Sequence, residues 1–321
     1  MHVHLQNEPD DAARAALHKA LDDGIELTYG TELPEVCDYT ILVAGRPIPE
    51  LLKASEVLNT LVIPFAGLPA STSELLREFP EISVHNLHHN APATAELSMA
   101  LLLAAAKSVV PIDSRFRQGD WSDRGQMDRS IQLEGRTALV LGYGQIGKRV
   151  ARACQGLGMQ VIAIARRKHS DPEHELHTVD ELTDVLPKAD ALMVCLPATP
   201  ETEGLIGEAE LALLPPDAVV VNIARGPIVH EQALYDALKE RRIFAAGLDV
   251  WWKYPASRDE WGKTQPSAFP FHELENVVMS PHRGGHVSDT ETQRMRALAR
   301  VLNAANRGEE IPNRVDLTAG Y

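Results

Sequence analysis

The chain has 321 residues, 44% of them hydrophobic and 24% charged, and its formal net charge is −14. This length predicts two domains, and the acidic balance argues against nucleic acid or an anionic membrane surface as a partner, because both attract clustered Lys and Arg. No apolar run is long enough to span a bilayer and no secretory signal opens the chain, so we expect a cytoplasmic protein.

The cysteines, Cys37, Cys154 and Cys195, are few, odd in number and surrounded by apolar residues. This usage is typical of buried thiols in a reducing cytoplasm and not of a disulfide framework. It does not indicate a metal site either, and no metal is expected.

The first 90 residues alternate short apolar runs with helical stretches. Strands are predicted at residues 39–43, 61–65 and 82–84, and helices at residues 11–21, 50–58 and 71–79. This alternation predicts a small parallel sheet with helices on its faces.

A long apolar helix, ATAELSMALLLAAAKSVV, is predicted over residues 93–110. Its apolar residues cover more than one face, so we expect it to be buried between domains or at a subunit interface. The polar segment RFRQGDW follows, and its Trp121 could pack on another subunit or cap its own domain. The helix and this arm together predict a homodimer.

The alternation resumes at residue 137, with strands predicted at 137–141, 161–165, 191–196, 218–223, 245–250 and 277–280. They predict a doubly wound sheet of about six strands, and a last helix over residues 287–307 is expected to return to the first domain. We therefore expect an α/β protein with two Rossmann- or flavodoxin-like domains. A dinucleotide-binding domain, residues 93–287, would be inserted into a smaller substrate domain, residues 1–92 and 288–321.

The stretch TALVLGYGQIG, residues 137–147, joins a buried strand to a helix through a G-x-G-x-x-G turn. In this context the pattern predicts a dinucleotide pocket, although a glycine turn in another α/β unit is the alternative. Gly142 would permit the tight turn, Gly144 would let a pyrophosphate approach the backbone, and Gly147 would let helix and strand pack closely. Gln145 and Ile146 would offer helix N-terminal N–H groups to the phosphates.

The second strand of this unit ends at Ala165 and is followed by Arg166, Arg167 and Lys168. An Asp or Glu at this point would bind the adenosine ribose and repel a 2′-phosphate, and cations replace it here. A guanidinium suits a phosphate in geometry and charge, so NADP(H) is favoured over NAD(H). The alternative is a solvated basic turn on an acidic protein.

Later motifs follow the glycine turn in order: LPATPET at 196–202, VNIARGPIV at 221–229, GLDV at 247–250 and SPHRGG at 280–285. With the glycine turn, they resemble the D-isomer-specific 2-hydroxyacid dehydrogenases. That family includes glyoxylate and hydroxypyruvate reductases and D-lactate, phosphoglycerate and formate dehydrogenases. The resemblance implies further cofactor-binding residues: Leu196, Pro197, Thr202, Ile223, Ala224, Asp249 and Gly284.

The resemblance implies hydride transfer between a nicotinamide and a small 2-keto or 2-hydroxy acid. Arg225 matches the family arginine that holds the substrate carboxylate and polarises its carbonyl, which suits a guanidinium fork. His282 matches the family proton donor, and histidine suits this task because its pKa lies near working pH. Asp249 matches an aspartate near the nicotinamide, and we expect it to fix the local geometry.

Tyr254 departs from the family, which places a Glu five residues beyond this aspartate to pair with the histidine. A carboxylate raises the pKa of an imidazolium and a neutral phenol does not, so we predict that His282 titrates lower than in a Glu-paired relative. Formate dehydrogenases also lack the Glu, and their DVWFPQP partly resembles DVWWKYP here; against formate, Gly284 replaces their PHIS serine. Tyr254 could also bond the substrate directly or form a pocket wall.

The resemblance places substrate contacts in the N-terminal domain. Ala66, Gly67 and Leu68 match a loop whose backbone N–H groups hold the carboxylate, although Pro69 lacks one such donor. Asn90 matches an asparagine that could reach the active site. Arg46 lies where relatives place a side-chain-pocket residue; it either binds a second anionic group or is a solvated surface arginine.

Three functions follow from these patterns. The first is an NADP(H)-dependent 2-ketoacid reductase or D-2-hydroxyacid dehydrogenase acting on a small anionic substrate. The second is a dehydrogenase of formate or another small oxyanion. The third is a nucleotide-sensing binding protein without turnover, which the joint presence of Arg225 and His282 disfavours.

Overall fold

The computed structural model describes residues 1–167 and 171–317 and consists of two compact units. Unit 1 comprises Met1–Asn90 and Gly285–Tyr321, and unit 2 comprises Ala91–Gly284. Lys168, the third cation of the predicted basic turn, lies outside the described residues.

Unit 1 contains a parallel sheet flanked by helices. Its elements are β1 (His2–Leu5), α1 (Asp11–Ala20), β2 (Glu26–Tyr29), β3 (Ile41–Val43), α2 (Pro49–Ala54), β4 (Thr60–Ile63), α3 (Ala70–Leu75) and β5 (Ser83–Asn86). In the described part of the chain this sheet has five strands in the order β2-β1-β3-β4-β5, which is the flavodoxin-like order. The predicted α/β class of this domain is confirmed.

The first two strands of unit 1 were not among the predicted elements. The sequence of β1 is HVHL, and because two of its four residues are polar histidines it lacks the apolar run that predicts a buried strand. His4 is nevertheless fully buried, because its ring nitrogens lie 2.8 Å from the Thr28 hydroxyl and 2.9 Å from the Gly30 carbonyl. Its polar atoms are thus satisfied inside the protein, which is the condition for burying them.

Unit 2 contains the larger sheet. Its helices are α4 (Ala91–Ala106), α5 (Val109–Phe116), α6 (Gln145–Gly156), α7 (Leu182–Val185), α8 (Glu208–Leu213) and α9 (Glu231–Lys239). Its strands are β6 (Thr137–Leu141), β7 (Gln160–Ile164), β8 (Glu175–His177), β9 (Ala191–Val194), β10 (Val219–Asn222), β11 (Ala245–Leu248) and β12 (Val277–Met279).

The strands of unit 2 are parallel and ordered β12-β11-β10-β9-β6-β7-β8. This is the doubly wound order, and the connections change direction between β6 and β9, where such folds bind ligands beyond the carboxyl ends of the strands. The sheet has seven strands within the described residues instead of the predicted six. The additional strand, β8, has only three residues, ELH, and therefore shows no apolar run.

The predicted helix over residues 93–110 is in fact two helices. It is interrupted at Lys107 and Ser108, and Ser108 has φ 48°. Pro111 gives a physical reason, because proline lacks the N–H that an uninterrupted helix would need at that position. The predicted burial of the first part is confirmed, since Leu102 and Ala106 of α4 lie in the core of unit 2.

The last helix, α10 (Thr290–Asn306), is shorter than predicted and packs against α1. Leu298 and Leu302 of α10 share a core with Leu17 of α1. Asn303 adds polar contacts: its Nδ2 donates to the Ala20 carbonyl at 2.9 Å. In the described residues no single helix is long and apolar enough to cross a membrane, whereas α4 and α5 pass on length and composition only as a pair bent by 65°.

Candidate active site

The glycine turn between β6 and α6 depends on two close backbone contacts. Gly142 has φ 106°, and a Cβ there would lie 2.8 Å from the backbone N of Leu196. A Cβ on Gly147 would lie 1.9 Å from the Gly142 carbonyl oxygen, so only glycine lets α6 start this close to the turn. These are the tight turn and the close packing that the sequence predicted for Gly142 and Gly147.

The space around Gly144 suits a phosphate-bearing ligand. A Cβ built on Gly144 would meet no protein atom within 4 Å, so this backbone borders open space. Gly144 precedes Gln145, the first residue of α6, and the first N–H groups of a helix have no carbonyl partner within it. An open, glycine-lined helix N-terminus fits the pyrophosphate of a dinucleotide, with Gln145 and Ile146 as donors.

The neighbouring strands end beside this turn. The Gly142 N–H donates to the Ile164 carbonyl at 3.0 Å, and the Cys195 N–H donates to Leu141 at 2.8 Å. The loop after β9 is fixed internally, because the Thr202 hydroxyl donates to the Pro197 carbonyl at 2.8 Å. Leu196 lies next to the turn, as its contact with Gly142 shows.

The basic turn follows β7 directly. Ala165 is buried and its N–H donates to the His177 carbonyl at 2.9 Å. Arg166 and Arg167 are exposed immediately after it. The structure therefore places the two predicted arginines directly after the strand end that lies next to the glycine turn.

Arg225 lies on a turn just after β10. Its side chain is exposed, and Nη1 donates to the Ala224 carbonyl at 2.7 Å. The buried Asn222 holds this turn from below: its Nδ2 donates to the Arg225 carbonyl at 2.9 Å, and its Oδ1 accepts the Ala224 N–H at 3.1 Å. Ile223 and Ala224 are thereby fixed beside the end of β9, where the Ile223 N–H meets the Val194 carbonyl at 3.4 Å.

The segments after β10 and β11 are packed together at Gly226. A Cβ on Gly226 would lie 2.3 Å from the Trp251 carbonyl oxygen, so the two backbones could not approach this closely with any other residue. This contact brings Tyr254 into the same neighbourhood as Arg225. The Tyr254 hydroxyl accepts the Trp251 N–H at 3.2 Å.

Tyr254 lies next to His282. Their ring centroids are 5.5 Å apart with the planes tilted by 58°. Burial raises the pKa of Tyr254, so its phenol is neutral at neutral pH. Position 254, where the family has a Glu, thus places an uncharged phenol next to the histidine.

The turn that carries His282 is strained and is held by Asp249. His282 has φ 55°, a left-handed conformation that is costly for a residue other than glycine. The Asp249 carboxylate, only 1% exposed, accepts the N–H groups of Arg283 at 2.9 Å and Gly284 at 2.8 Å and the Ser280 hydroxyl at 2.5 Å. These bonds lock the turn, so Asp249 fixes local geometry as predicted; direct cofactor contact by Asp249 stays a prediction.

Gly284 is required by this arrangement. A Cβ on Gly284 would lie 2.9 Å from Asp249 Oδ2 and 3.3 Å from Thr94 Cγ2. Any side chain at this position would therefore push the carboxylate away from the turn. The serine that formate dehydrogenases carry here would meet these atoms.

In unit 1 the structure brings Arg46 close to the loop at residues 65–69. A Cβ on Gly45 would lie 2.5 Å from the Phe65 ring, and the Thr72 hydroxyl donates to the Gly45 carbonyl at 2.9 Å. Arg46 is exposed, and its carbonyl accepts a hydrogen bond from Gln6 Nε2 at 2.9 Å. The Arg46 side chain is therefore on a fixed backbone and faces solvent.

The remaining predicted substrate residues lie on the same unit. The Ala66 carbonyl accepts from Asn86 Nδ2 at 2.8 Å, which fixes the loop that continues through Gly67 and Leu68. Asn90 packs against Gly285, where an added Cβ would lie 2.9 Å from Asn90 Nδ2.

The sequence patterns do not reveal the buried or half-buried polar residues that support these turns: Gln6, Asn86, Tyr143 and Asn222. Each is a polar side chain at or next to a strand end, which is the available signal. Their hydrogen-bond partners are distant in sequence or are backbone atoms, so the pattern alone does not reveal them.

Comparisons with known proteins agree with this geometry. The family profile described as D-isomer specific 2-hydroxyacid dehydrogenase, NAD binding domain, matches residues 99–284. The glyoxylate reductase of Thermococcus gammatolerans is 35% identical over 230 residues, which cover 70% of this chain and 66% of that protein. The D-3-phosphoglycerate dehydrogenase of Methanocaldococcus jannaschii is 30% identical over 296 residues, covering 91% of this chain and 54% of that protein.

A solved structure shows the same fold. The D-isomer specific 2-hydroxyacid dehydrogenase from Xanthobacter autotrophicus, in complex with NADPH and MES, gives a TM-score of 0.82 at 22% identity and covers 100% of this chain and 99% of that chain. Fold and site thus define a doubly wound, nicotinamide-dinucleotide-binding α/β protein. The chain belongs to the D-isomer specific 2-hydroxyacid dehydrogenase family. Its matched region spans 66% of the glyoxylate reductase and 54% of the phosphoglycerate dehydrogenase.

Proposed function

We propose that this protein is an NADP(H)-dependent oxidoreductase that interconverts a small 2-keto acid and the D-2-hydroxy acid. The observation that carries the proposal is the grouping of Arg225, Tyr254 and His282 after the adjacent strands β10, β11 and β12. The glycine turn follows β6 at the same, carboxyl-terminal edge of this sheet. Family membership supports the same reaction class.

Each of these side chains has a task that its chemistry fits. The bound nicotinamide would supply or accept the hydride. The exposed Arg225 guanidinium would hold the two adjacent oxygens of an α-keto acid, a carboxylate oxygen and the carbonyl, through its fork of N–H donors. The exposed His282 would give a proton to the carbonyl oxygen during reduction and take it back during oxidation.

Tyr254 changes the acid–base behaviour of this pair. The phenol stays uncharged because burial raises its pKa, so it does not stabilise an imidazolium as a carboxylate would. His282 would therefore keep its proton only to a lower pH than in a relative with Glu at this position. Reduction of the keto acid, which needs that proton, would be favoured at acidic pH. The hydroxyl accepts the Trp251 N–H and retains its own hydrogen to donate.

NADP(H) preference is proposed from Arg166 and Arg167, which are exposed at the end of β7 next to the glycine turn. The variant Arg166→Ser/Arg167→Ser should reduce the ratio of kcat/KM for NADPH to that for NADH by about tenfold or more, because even one lost charge-assisted hydrogen bond costs about 1.5–3 kcal/mol. As a control, Arg117→Ser removes an exposed arginine at the end of α5 and should leave the NADPH-to-NADH ratio unchanged. An unchanged ratio in the double variant would refute the role of Arg166 and Arg167, and a wild type without preference for NADPH would refute the cofactor assignment.

The proposed substrate contacts in unit 1 are Arg46, Ala66, Gly67, Leu68 and Asn90. Their support is the rigid backbone around Arg46 and Ala66, which buried side chains hold by hydrogen bonds. Arg46→Ala should raise KM for a substrate with a second anionic group and leave KM for glyoxylate unchanged. Equal effects on both KM values would show that Arg46 does not bind the second anionic group of the substrate.

We also propose a homodimer. Unit 2 exposes large apolar side chains on α4, α5 and the segment after them: Leu103, Val109, Val110, Phe116, Trp121 and Met127. Phe116 and Trp121 pack edge to face, with centroids 4.8 Å apart, and both are at least half exposed. Large exposed apolar side chains concentrated in one stretch of the chain are typical of an interface. Light scattering should report a dimer, and Trp121→Glu should weaken it.

A substrate panel tests the proposed reaction. NADPH oxidation would be followed with glyoxylate, hydroxypyruvate, pyruvate and phenylpyruvate, and NADP+ reduction with formate. Turnover of at least one 2-keto acid is expected. Turnover of formate alone would favour the formate-type reaction, and tight NADPH binding with no turnover would favour a sensor.

A further inference from the structure

Tyr143 lies between the first two glycines of the turn, and its hydroxyl reaches the segment that follows the basic residues. Its Oη lies 2.8 Å from His174 Nδ1 and 3.2 Å from Asp171 Oδ2. The Tyr143 and His174 rings also pack edge to face, with centroids 5.7 Å apart. The glycine turn is thus tied to residues 171–174, beyond Arg166 and Arg167 in the chain.

The hydrogen bonds of this cluster run in one direction. The Asp171 carboxylate is an acceptor, so the Tyr143 hydroxyl donates to it and His174 Nδ1–H donates to the Tyr143 oxygen. The His174 side chain is only 1% exposed, and its Nε2 has no hydrogen-bond partner in the described parts of the chain. The cluster therefore uses the δ nitrogen of His174 and not the ε nitrogen.

Asp171 also stabilises the turn formed by residues 171–174. Its Oδ1 accepts the N–H groups of Glu173 at 3.0 Å and His174 at 3.1 Å. The hydrogen bond from Glu173 lowers the pKa of Asp171, which keeps the carboxylate ionised. Burial raises the pKa of Tyr143 to about 12, so the phenol keeps the hydrogen that it donates.

The other end of the segment is anchored by the sheet. The Ala165 N–H donates to the His177 carbonyl at 2.9 Å, and Ile164 accepts the Gly142 N–H at 3.0 Å. Arg166 and Arg167 therefore follow directly from a backbone that the sheet holds, and Asp171, four residues after Arg167, is held at Tyr143. Side chains whose backbone is positioned before the ligand binds lose less conformational entropy on binding.

We propose that the hydrogen-bonded trio Tyr143–Asp171–His174, here called the tether, keeps Arg166 and Arg167 close to the glycine turn and so sets the discrimination between a ribose 2′-phosphate and a 2′-hydroxyl. The inference rests on the proposed NADP(H) function and deepens it. Tyr143, Asp171 and His174 are positioning residues, because they act through Arg166 and Arg167.

Calorimetric titration with 2′,5′-ADP and 5′-AMP tests the tether without turnover. Tyr143→Phe removes the hydroxyl and keeps the ring. We expect its Kd for 2′,5′-ADP to rise about 5- to 10-fold, as expected when one or two side chains must be ordered on binding, with little change for 5′-AMP. In steady state KM for NADPH should rise while kcat stays unchanged.

Two variants of His174 form a matched pair. Asn places an amide N–H at the position of Nδ1 and lacks the far edge of the ring, which includes the ε nitrogen that the cluster does not use. His174→Asn should therefore bind 2′,5′-ADP as the wild type does. His174→Leu has no donor and should reproduce the loss seen in Tyr143→Phe.

Wild-type affinity for 2′,5′-ADP in both Tyr143→Phe and His174→Leu would overturn the inference. Equal weakening of 2′,5′-ADP and 5′-AMP, with a lower Tm, would overturn it too, because it would show a general structural role. The variant Arg166→Ser/Arg167→Ser separates the two proposals. If the wild type does not prefer NADPH, the proposed cofactor is wrong, and if the double variant keeps the preference, Arg166 and Arg167 do not set it; if the double variant loses the preference and Tyr143→Phe keeps it, only the tether is wrong.

Discussion

The sheet of unit 2 holds its two working regions by different means. At the glycine region, residues 142–147 and 165–167, the geometry comes from backbone contacts that only Gly142 and Gly147 permit. At the histidine region, which comprises Arg225, Tyr254 and His282, the geometry comes from side chains. Asn222 holds the turn that carries Arg225, and Asp249 holds the strained turn that carries His282.

The two regions are therefore sensitive to different substitutions. A region made by glycines fails when a side chain is added, since the added atoms occupy space that the backbone or the ligand needs. A region made by buried hydrogen bonds fails when an acceptor is removed, because the donors it leaves behind cannot reach water. Variants of each kind can therefore test the contrast.

The largest loss is expected for Arg225→Ala in the histidine region. Removing two charge-assisted hydrogen bonds to the substrate should lower kcat/KM for a 2-keto acid by about a thousandfold. The Kd for NADPH should stay unchanged. Arg117→Ala, which removes an exposed arginine paired with Asp113, is the control and should have wild-type kinetics. A loss below tenfold would exclude Arg225 as the carboxylate ligand.

In the glycine region, two alanine variants should separate folding from binding. Gly147→Ala places a Cβ 1.9 Å from the Gly142 oxygen and should lower Tm strongly or prevent folding. Gly144→Ala meets no protein atom within 4 Å and should keep its Tm, while its Kd for NADPH rises by about tenfold or more because the Cβ occupies the proposed phosphate space. Wild-type NADPH affinity in a folded Gly144→Ala would show that the phosphates bind elsewhere.

Asp249→Asn should weaken the hold on His282. An amide keeps one acceptor oxygen and replaces the other with a donor, which faces either the Gly284 N–H or the Arg283 N–H. We expect kcat to fall by about 10- to 100-fold and stability by about 1–3 kcal/mol, the cost of leaving a buried group unpaired. Ser280→Ala, which removes a single bond to the same carboxylate, should have a smaller effect on kcat. The reverse order would contradict the role given to Asp249.

The smallest effect is a shift in pH dependence in Tyr254→Glu. A carboxylate next to His282 favours the imidazolium and raises its pKa, so the proton needed for reduction is retained to higher pH. The descending limb of the kcat/KM profile for keto-acid reduction should move to higher pH. Tyr254→Gln is the neutral control and should keep the wild-type profile. An unchanged profile in Tyr254→Glu would refute this account of Tyr254.

The glycine region could be predicted from the sequence almost completely, because its geometry depends on the absence of side chains at fixed spacings. Gly142, Gly144 and Gly147 occur in one short stretch, and the strand before them is continuously apolar. The seven-stranded order of the described sheet follows the same doubly wound rule, and only the three-residue β8 lacked a signal.

The supports of the histidine region could not be predicted in the same way. The sequence marks Arg225, Asp249 and His282 by motif, but the individual bonds from Asn222 and Asp249 to backbone N–H and carbonyl groups depend on how separate loops meet. The left-handed conformation of His282 has no clear sequence signal, since most histidines, like other residues with a Cβ, adopt negative φ. Pro111 is a sequence signal for the helix break at Ser108, but the continuous apolar run around it favours one long helix.

The proposed reaction and cofactor are tested together by the steady-state rate of glyoxylate reduction with NADPH and with NADH, measured in the wild type and in Arg225→Ala. We expect turnover in the wild type, a kcat/KM at least about tenfold higher with NADPH, and a near-complete loss in Arg225→Ala. Tight NADPH binding without reduction of glyoxylate or any other 2-keto acid, or full activity in Arg225→Ala, would contradict this expectation.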